Sequence, residues 1–257
     1  MRFSKWHALG NSYLVVERDD AGSLTPDRAS RLCDVDRGLG SDGVLEVVGI
    51  VDSEVEVVIW NPDGSTAEMS GNGTRIAAAW LAQRLGATAL VVRVGSRRVP
   101  AVILEDGTVE TVLGAVEVGE AETLDVDGSP VELTRVTVGN PHAVVVCDEL
   151  SREMLLRLGP QLESHPRFPG RTNVQLSRAD GKHDVHALVW ERGAGETSAS
   201  GSSAVAVAAA MIGRAHVESP VTVHMPGGDL LVRISVGQAT LIGPAEQICT
   251  GETAGEI

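Results

Sequence analysis

Hydrophobic residues along the chain fall in short, β-branched runs. Val55–Trp60, Ala89–Val94, Val109–Leu113, Val131–Val138, Ala143–Cys147, Val185–Trp190 and Val221–Met225 each read as a strand, bounded by Gly, Pro, Asp or Asn. Turn signals stand at Asp20–Gly22, Asp63-Gly64, Asp106-Gly107, Asp127-Gly128 and Asp180-Gly181. Two segments break the β pattern. Thr74–Leu85 and Ser203–Ile212 are Ala-rich and apolar almost all round, which predicts two buried helices. Thr25–Cys33 and Ser151–Leu158 are candidate surface helices, with Pro26 suited to a first turn.

The pattern repeats. WNPDGSTAEMSGNGTRIAAAW, from Trp60, aligns without a gap on WERGAGETSASGSSAVAVAAA, from Trp190. Each copy leaves a Val-rich strand at a Trp, crosses a Gly-containing loop with a Glu, reaches Ser-Gly ten residues on and enters an Ala-rich helix. The second copy begins about half a chain length after the first. This predicts a duplicated α+β architecture of two similar halves, each a sheet around one hydrophobic helix. A helix N-terminus offers unpaired N–H groups and a positive dipole end. Two such ends, each headed by Ser-Gly, are expected to face one another across a cleft and grip a carboxylate, with one side chain on either side of it.

Composition narrows the partners. The 257 residues are 43% hydrophobic and 22% charged, an ordinary globular balance. Aromatics make up only 3%, so Val, Ala, Leu and Ile must build the core. A net charge of −14 without a basic cluster suits neither nucleic acid nor an anionic membrane surface, and favours a small-molecule partner. Cys33, Cys147 and Cys249 form no disulfide or metal pattern. The longest apolar run, Ala204–Ile212, is too short to span a bilayer, and the N-terminus has no signal-peptide character. A cytoplasmic protein is expected. No metal is expected either: the histidines show no ligand pairing at helical spacing, and His183 and His186 are placed on opposite faces of a strand. The Gly-rich segments lack a phosphate-loop Lys-Ser/Thr, which excludes that mode of nucleotide binding.

Five segments together resemble the diaminopimelate epimerase family: KWHALGNSYLVV at the N-terminus, RGLGSDGVL (Arg37–Leu45), WNPDGSTAEMSGNGTR (Trp60–Arg75), GNPHAVV (Gly139–Val145) and ERGAGETSASGSSA (Glu191–Ala204). They occur in the family's order over almost the whole chain. The resemblance implies a cofactor-independent isomerase, without pyridoxal phosphate, that interconverts LL- and meso-2,6-diaminopimelate on the route to lysine and peptidoglycan. It implies an α+β fold of two pseudo-symmetric domains, each a twisted, mostly antiparallel sheet around a central hydrophobic helix, and a homodimer. The expected boundaries are 1–116, 117–243, and a segment 244–257 returning to the N-terminal domain.

The family's chemistry uses two cysteines, one per domain, as thiolate base and thiol acid. Both matching positions are serine here, Ser70 and Ser200. A hydroxyl is far less acidic than a thiol and needs a neighbouring base to act. The resemblance places His142 near the first position and Glu191 near the second. A Ser70–His142 pair, or His142 itself, is one candidate base; orientation of other groups by His142 and Glu191 is the alternative. Three accounts of the serines stay open: targeted Cys→Ser replacement that traps substrate, a natural variant that still isomerises, and a natural variant that binds ligand, racemises another amino acid or eliminates water. Neighbouring drift (Ile76 where a second Cys is frequent, and Ser202-Ser203) favours a natural variant.

The recognition residues match the family. Asn61, Asn140, Asn173, Glu191 and Arg192 are implied holders of the distal amino and carboxylate groups, with Asn11 also at a family position. A zwitterion calls for such a set: Arg for carboxylate, Glu for ammonium, amides for both. The reacting carboxylate is implied to lie on the N–H groups of Gly71, Asn72, Gly201 and Ser202.

Overall fold

The structure is a computed structural model, and it describes residues 1–255. The chain divides into two compact units, one comprising Met1–Val112 with the segment from Ile242 onward, the other Leu113–Leu241.

The first unit holds β1 (Arg2–Ala8), β2 (Asn11–Glu17), α1 (Arg18–Ala21), α2 (Pro26–Cys33), β3 (Val44–Val51), β4 (Glu54–Trp60), β5 (Thr66–Ala67), α3 (Gly71–Leu85), β6 (Ala89–Val94), β7 (Arg97–Ile103) and the start of β8 (Val109–Ala115). The second holds β9 (Glu117–Val126), β10 (Ser129–Thr137), β11 (Pro141–Val146), α4 (Arg152–Glu163), β12 (Asn173–Ala179), β13 (Asp184–Glu191), β14 (Gly195–Thr197), α5 (Gly201–Gly213), β15 (Val221–Met225), β16 (Gly228–Ser235) and most of β17 (Gln238–Gly243). The last strand, β18 (Glu246–Glu252), belongs to the first unit. The division thus falls inside β8 and inside β17, a few residues from 116/117 and 243/244.

Strand pairing shows the duplication directly. In the first unit β18–β1, β1–β2, β3–β4 and β6–β7 are antiparallel, while β2–β3 and β4–β6 are parallel. In the second unit β9–β10, β10–β11, β12–β13 and β15–β16 are antiparallel, while β11–β12 and β13–β15 are parallel. The order of pairings is the same. The parallel steps carry the longer crossovers: α2 links β2 to β3, α3 links β4 to β6, α4 links β11 to β12 and α5 links β13 to β15. This is the α+β fold expected from the repeat.

Each central helix is the spine of its unit. Helix α3 packs on β1, β2, β4, β6 and β7, burying Ile76, Ala77, Ala78 and Leu81. Its last turn differs from expectation: Gln83, Arg84 and Leu85 are exposed, so only its first three turns are core. Helix α5 is buried on all sides from Ser203 to Met211 and packs on strands β9 to β13, β15 and β16. Small alanines let the strands approach it closely.

Four local expectations are corrected. Both central helices begin earlier than their apolar patterns, at Gly71 and Gly201 rather than Thr74 and Ser203. Glycine and polar residues have weak helix propensity and conceal the first turn. Helix α4 runs to Glu163, through Pro160, because Leu158 and Leu162 are buried in one cluster and hold it. Gly159 is required there: a Cβ would come within 2.7 Å of the Trp190 ring. The Asp20–Gly22 turn is instead the end of α1, which Gly22 terminates at φ 71°. His183 lies before β13 rather than on it, while His186 on β13 stacks on His224 with centroids 4.9 Å apart.

Candidate functional site in two halves

In the first unit, Ser70 is the N-cap of α3, with extended backbone (φ −142°, ψ 120°). Its Oγ accepts from the Gly73 N–H at 3.0 Å. Gly73 keeps this contact relaxed: a Cβ there would sit 3.3 Å from Ser70 Oγ and 3.2 Å from the Leu45 side chain, which would have to give by a few tenths of an ångström. Capping at the third residue leaves the N–H groups of Gly71 and Asn72 as the donors at the helix mouth. Tyr13, from β2, brings its hydroxyl to 3.1 Å from Ser70 Oγ. Its ring fits because residue 43 is glycine: a Cβ there would lie 2.5 Å from the Tyr13 ring. That accounts for one glycine of the RGLGSDGVL segment.

Beneath this mouth lies a fully buried cation. Arg75 is 0% exposed, and burial lowers its pKa to about 10, so it stays charged at neutral pH. It donates to Asn72 Oδ1 at 2.7 Å, Gly71 O at 3.3 Å and Pro244 O at 3.4 Å. Asn72 in turn donates to Asn11 Oδ1 at 3.0 Å. The guanidinium adds its charge to the positive end of α3. Asn61 is engaged differently: its side chain donates to Ser65 Oγ at 2.9 Å and its backbone closes the turn on Ser65.

In the second unit, Ser200 is the N-cap residue of α5 by backbone geometry (φ −146°, ψ 125°), but its side chain caps nothing. Its hydroxyl stands beside the Glu191 carboxyl group at the end of β13, near enough to act on that group's pKa. Burial pushes the Glu191 pKa up, and the Ser200 hydroxyl partly offsets this by donating to the carboxylate. Ser200 is 4% exposed, whereas Ser70 is half-buried.

His142 is buried on β11. Its Nε2 lies 2.9 Å from Asn140 Oδ1, and Gln175 Nε2 lies 3.0 Å from its Nδ1. The neutral Nε2–H tautomer satisfies both bonds. Gln175 also donates to Ser203 Oγ at 3.0 Å in the first turn of α5. Burial, with the Arg192 charge adding to it, lowers the His142 pKa to about 3. Such an imidazole is a feeble base. Ser70 has Tyr13 and Gly73 as its partners, and His142 has Asn140 and Gln175. Of the two expectations for His142, its bonds to Asn140 and Gln175 fit the orienting one. Asn173 is likewise engaged, donating to Pro141 O at 2.9 Å and accepting from Arg192 N at 3.0 Å. The Arg192 side chain is exposed and donates to Gly170 O at 3.3 Å.

Two buried glutamates that the sequence reading passes over anchor the repeated tryptophans. Glu46 accepts from Trp60 Nε1 at 2.9 Å, Arg18 Nε at 2.8 Å and Leu24 N at 3.0 Å. Glu163 accepts from Trp190 Nε1, Gly193 N and Arg171 Nη2, each at 2.7 Å. Tyr13, Arg75 and Gln175 are also missed. For Tyr13 a signal exists: Gly10-Asn11-Ser12-Tyr13 parallels Gly139-Asn140-Pro141-His142, each with a left-handed Gly (φ 85° and 80°) before the strand.

Among the described residues, no group of three or more His, Cys, Asp or Glu side chains is arranged to hold a metal ion, and no helix is long and apolar enough to cross a membrane.

The sequence profile of the family described as diaminopimelate epimerase matches residues 3–123 and 134–248. The chain belongs to the diaminopimelate epimerase family. It is 34% identical to the diaminopimelate epimerase of Pelotomaculum thermopropionicum, with 98% of each chain covered. It is 36% identical to that of Sphingopyxis alaskensis, covering 98% of this chain and 97% of the relative. Among solved structures, a predicted epimerase from Pseudomonas aeruginosa superposes with a TM-score of 0.74 at 18% identity, covering 99% of both chains. At that identity the likeness is one of fold.

Proposed function

We propose that the protein interconverts LL- and meso-2,6-diaminopimelate without a cofactor, one unit supplying the group that removes the α-proton and the other the group that returns it. Membership of the family supports the substrate. The observation that carries the chemistry is the placement of the buried Glu191 carboxyl group beside the Ser200 hydroxyl at the N-terminus of α5. A serine alone is too weak a base for an α-proton. A serine beside a carboxylate has somewhere to send its own proton. In the proton-removing step the substrate C–H bond breaks, its proton goes to Ser200 Oγ, and the Ser200 proton goes to Glu191. The electron pair left on the α-carbon spreads into the substrate carboxylate. Backbone N–H groups of Gly71, Asn72, Gly201 and Ser202 are the donors for that charge, with Arg75 reinforcing the α3 pair. Asn11, Asn61, Asn140, Asn173 and Arg192 complete the recognition set. His142 keeps Asn140 and, through Gln175, the first turn of α5 in place.

Proton NMR of LL-diaminopimelate with the protein in deuterated water tests this. The expected result is loss of the α-proton signal and growth of the meso isomer. An unchanged signal, in a sample whose melting temperature rises with diaminopimelate, overturns the catalytic reading and leaves a binding protein.

A further inference from the structure

The Ser200 half has a carboxylate beside its hydroxyl. The Ser70 half has Tyr13, the chain's one tyrosine, with its Oη 3.1 Å from Ser70 Oγ. We propose that Tyr13 is the proton partner of Ser70, so that the first unit handles protons through a serine–phenol relay. This rests on the proton-transfer reading above and assigns a residue to its second face.

Three observations carry it. The Ser70 Oγ already accepts from Gly73 N, which orients its lone pairs and leaves the Tyr13–Ser70 contact as the route for hydroxyl protons. The phenol is held for this contact: Tyr13 is 6% exposed, and Gly43 provides the space for its ring. Of two bonded hydroxyls, a phenol, with a reference pKa of about 10, is much the stronger acid, so a negative charge on the pair resides on the tyrosine. Tyr13 also holds the place in its unit that His142 holds in the other, after a Gly-Asn pair at the start of a strand. His142 is committed to Asn140 and Gln175, whereas Tyr13 reaches the serine directly.

The relay balances. When the first unit returns a proton, Ser70 Oγ–H transfers to the α-carbon as Tyr13 Oη–H transfers to Ser70. One C–H bond forms, Ser70 remains a hydroxyl and Tyr13 becomes phenolate. In the reverse direction the phenolate takes the Ser70 proton as Ser70 takes the α-proton. A turnover that begins at Ser200 ends with Glu191 protonated and Tyr13 ionised, and exchange with water restores both. Tyr13 acts through Ser70 and is a positioning and relay residue.

The test is a double-variant cycle on α-deuterium incorporation into diaminopimelate. Tyr13→Phe keeps the ring and its packing. It is expected to lower exchange by about 10²-fold, with the ligand-induced melting shift unchanged and the alkaline limb of the pH–rate profile lost. In a Ser70→Cys background, where a thiol ionises without help, Tyr13→Phe is expected to change exchange less than about threefold. Equal exchange by Tyr13→Phe and the unaltered protein overturns the relay alone. A loss of the same size in both backgrounds also overturns it, making Tyr13 a packing residue. No exchange by the unaltered protein, with exchange in a Ser70→Cys, Ser200→Cys variant, overturns the serine chemistry and the relay with it. No exchange in any variant removes the proposed function itself.

Discussion

The two helix mouths begin from the same sequence device and end as different chemical objects. At α3 the serine is tied down: its oxygen caps Gly73 and its other partner is a phenol. At α5 the serine caps nothing, and its hydroxyl belongs to Glu191. The floor differs too. Helix α3 has a buried arginine where the aligned position of α5 is Val205, and α5 has Ser203 tied through Gln175 to His142 where α3 has Gly73. Duplication thus conserved the backbone donors, which any helix start provides, and let the proton-handling side chains diverge. An epimerase profits from that, because one face must begin as base and the other as acid.

The sharpest way to break the comparison is Glu191→Gln. It leaves a neutral amide beside Ser200 and is expected to lower α-proton exchange by roughly 10²- to 10⁴-fold, read in the same NMR assay. Exchange retained within a few-fold would put the two mouths on an equal footing. The acid limb of the exchange profile is expected above the ordinary carboxylate range, because burial raises the Glu191 pKa. That limb should disappear in the glutamine variant.

His142 gives a second contrast, now in stability. Its folded pKa is about 3, against 6.5 for a free histidine. Between those values the unfolded chain binds the proton and the folded one does not, so stability falls as pH drops from about 6.5 toward 3, and rises with pH across the same window. The slope expected from this one group is about 1.4 kcal/mol per pH unit. Urea titrations across the window should show it, and His142→Gln should remove that share.

The smallest effect separates the serines themselves. Ser70→Ala removes a cap and is expected to cost about 1 kcal/mol at any pH. Ser200→Ala removes no cap, but it deprives Glu191 of its donor and raises that carboxyl's pKa further. Its cost should be absent while Glu191 is protonated in both folded proteins, grow as pH rises through the raised folded pKa of the unaltered protein, above the ordinary carboxylate range, and level off once the variant's carboxyl has ionised too. Parallel curves for the two variants would mean that the hydroxyls serve alike.

The strands at Ala89–Val94 and Val221–Met225 were legible residue for residue, because β-branched runs between turn residues have few alternatives. The repeat and the existence of the two central helices were legible as well, though not their first turns. What stayed hidden depends on partners distant in sequence. Glu46 and Glu163 look like surface carboxylates until Trp60 and Trp190 donate to them. Arg75 is a lone charge in a helix expected to be buried, and only the fold supplies Pro244 as one of its partners. Pro160 reads as a helix end, and packing of Leu162 overrides it. His142 reads from sequence as either a base or an orienting group, and only the fold supplies the Asn140 and Gln175 bonds that fit the second. Local pattern decides which element forms; a side chain's protonation is decided by what the fold puts beside it.

Strand β18 pairs along β1, from Arg2 opposite Glu252 to His7 opposite Glu246. The second unit, Leu113–Leu241, is one uninterrupted stretch of chain. On a translating ribosome the order of completion is therefore inverted: the unit made first waits with an open strand edge and is closed after the unit made later. Arg75 waits as well, since Pro244 supplies one of its carbonyl partners. The first helix mouth thus reaches its final electrostatic state only when the chain beyond Ile242 has been added, which makes the maturation of one half-site wait for synthesis of the whole second unit.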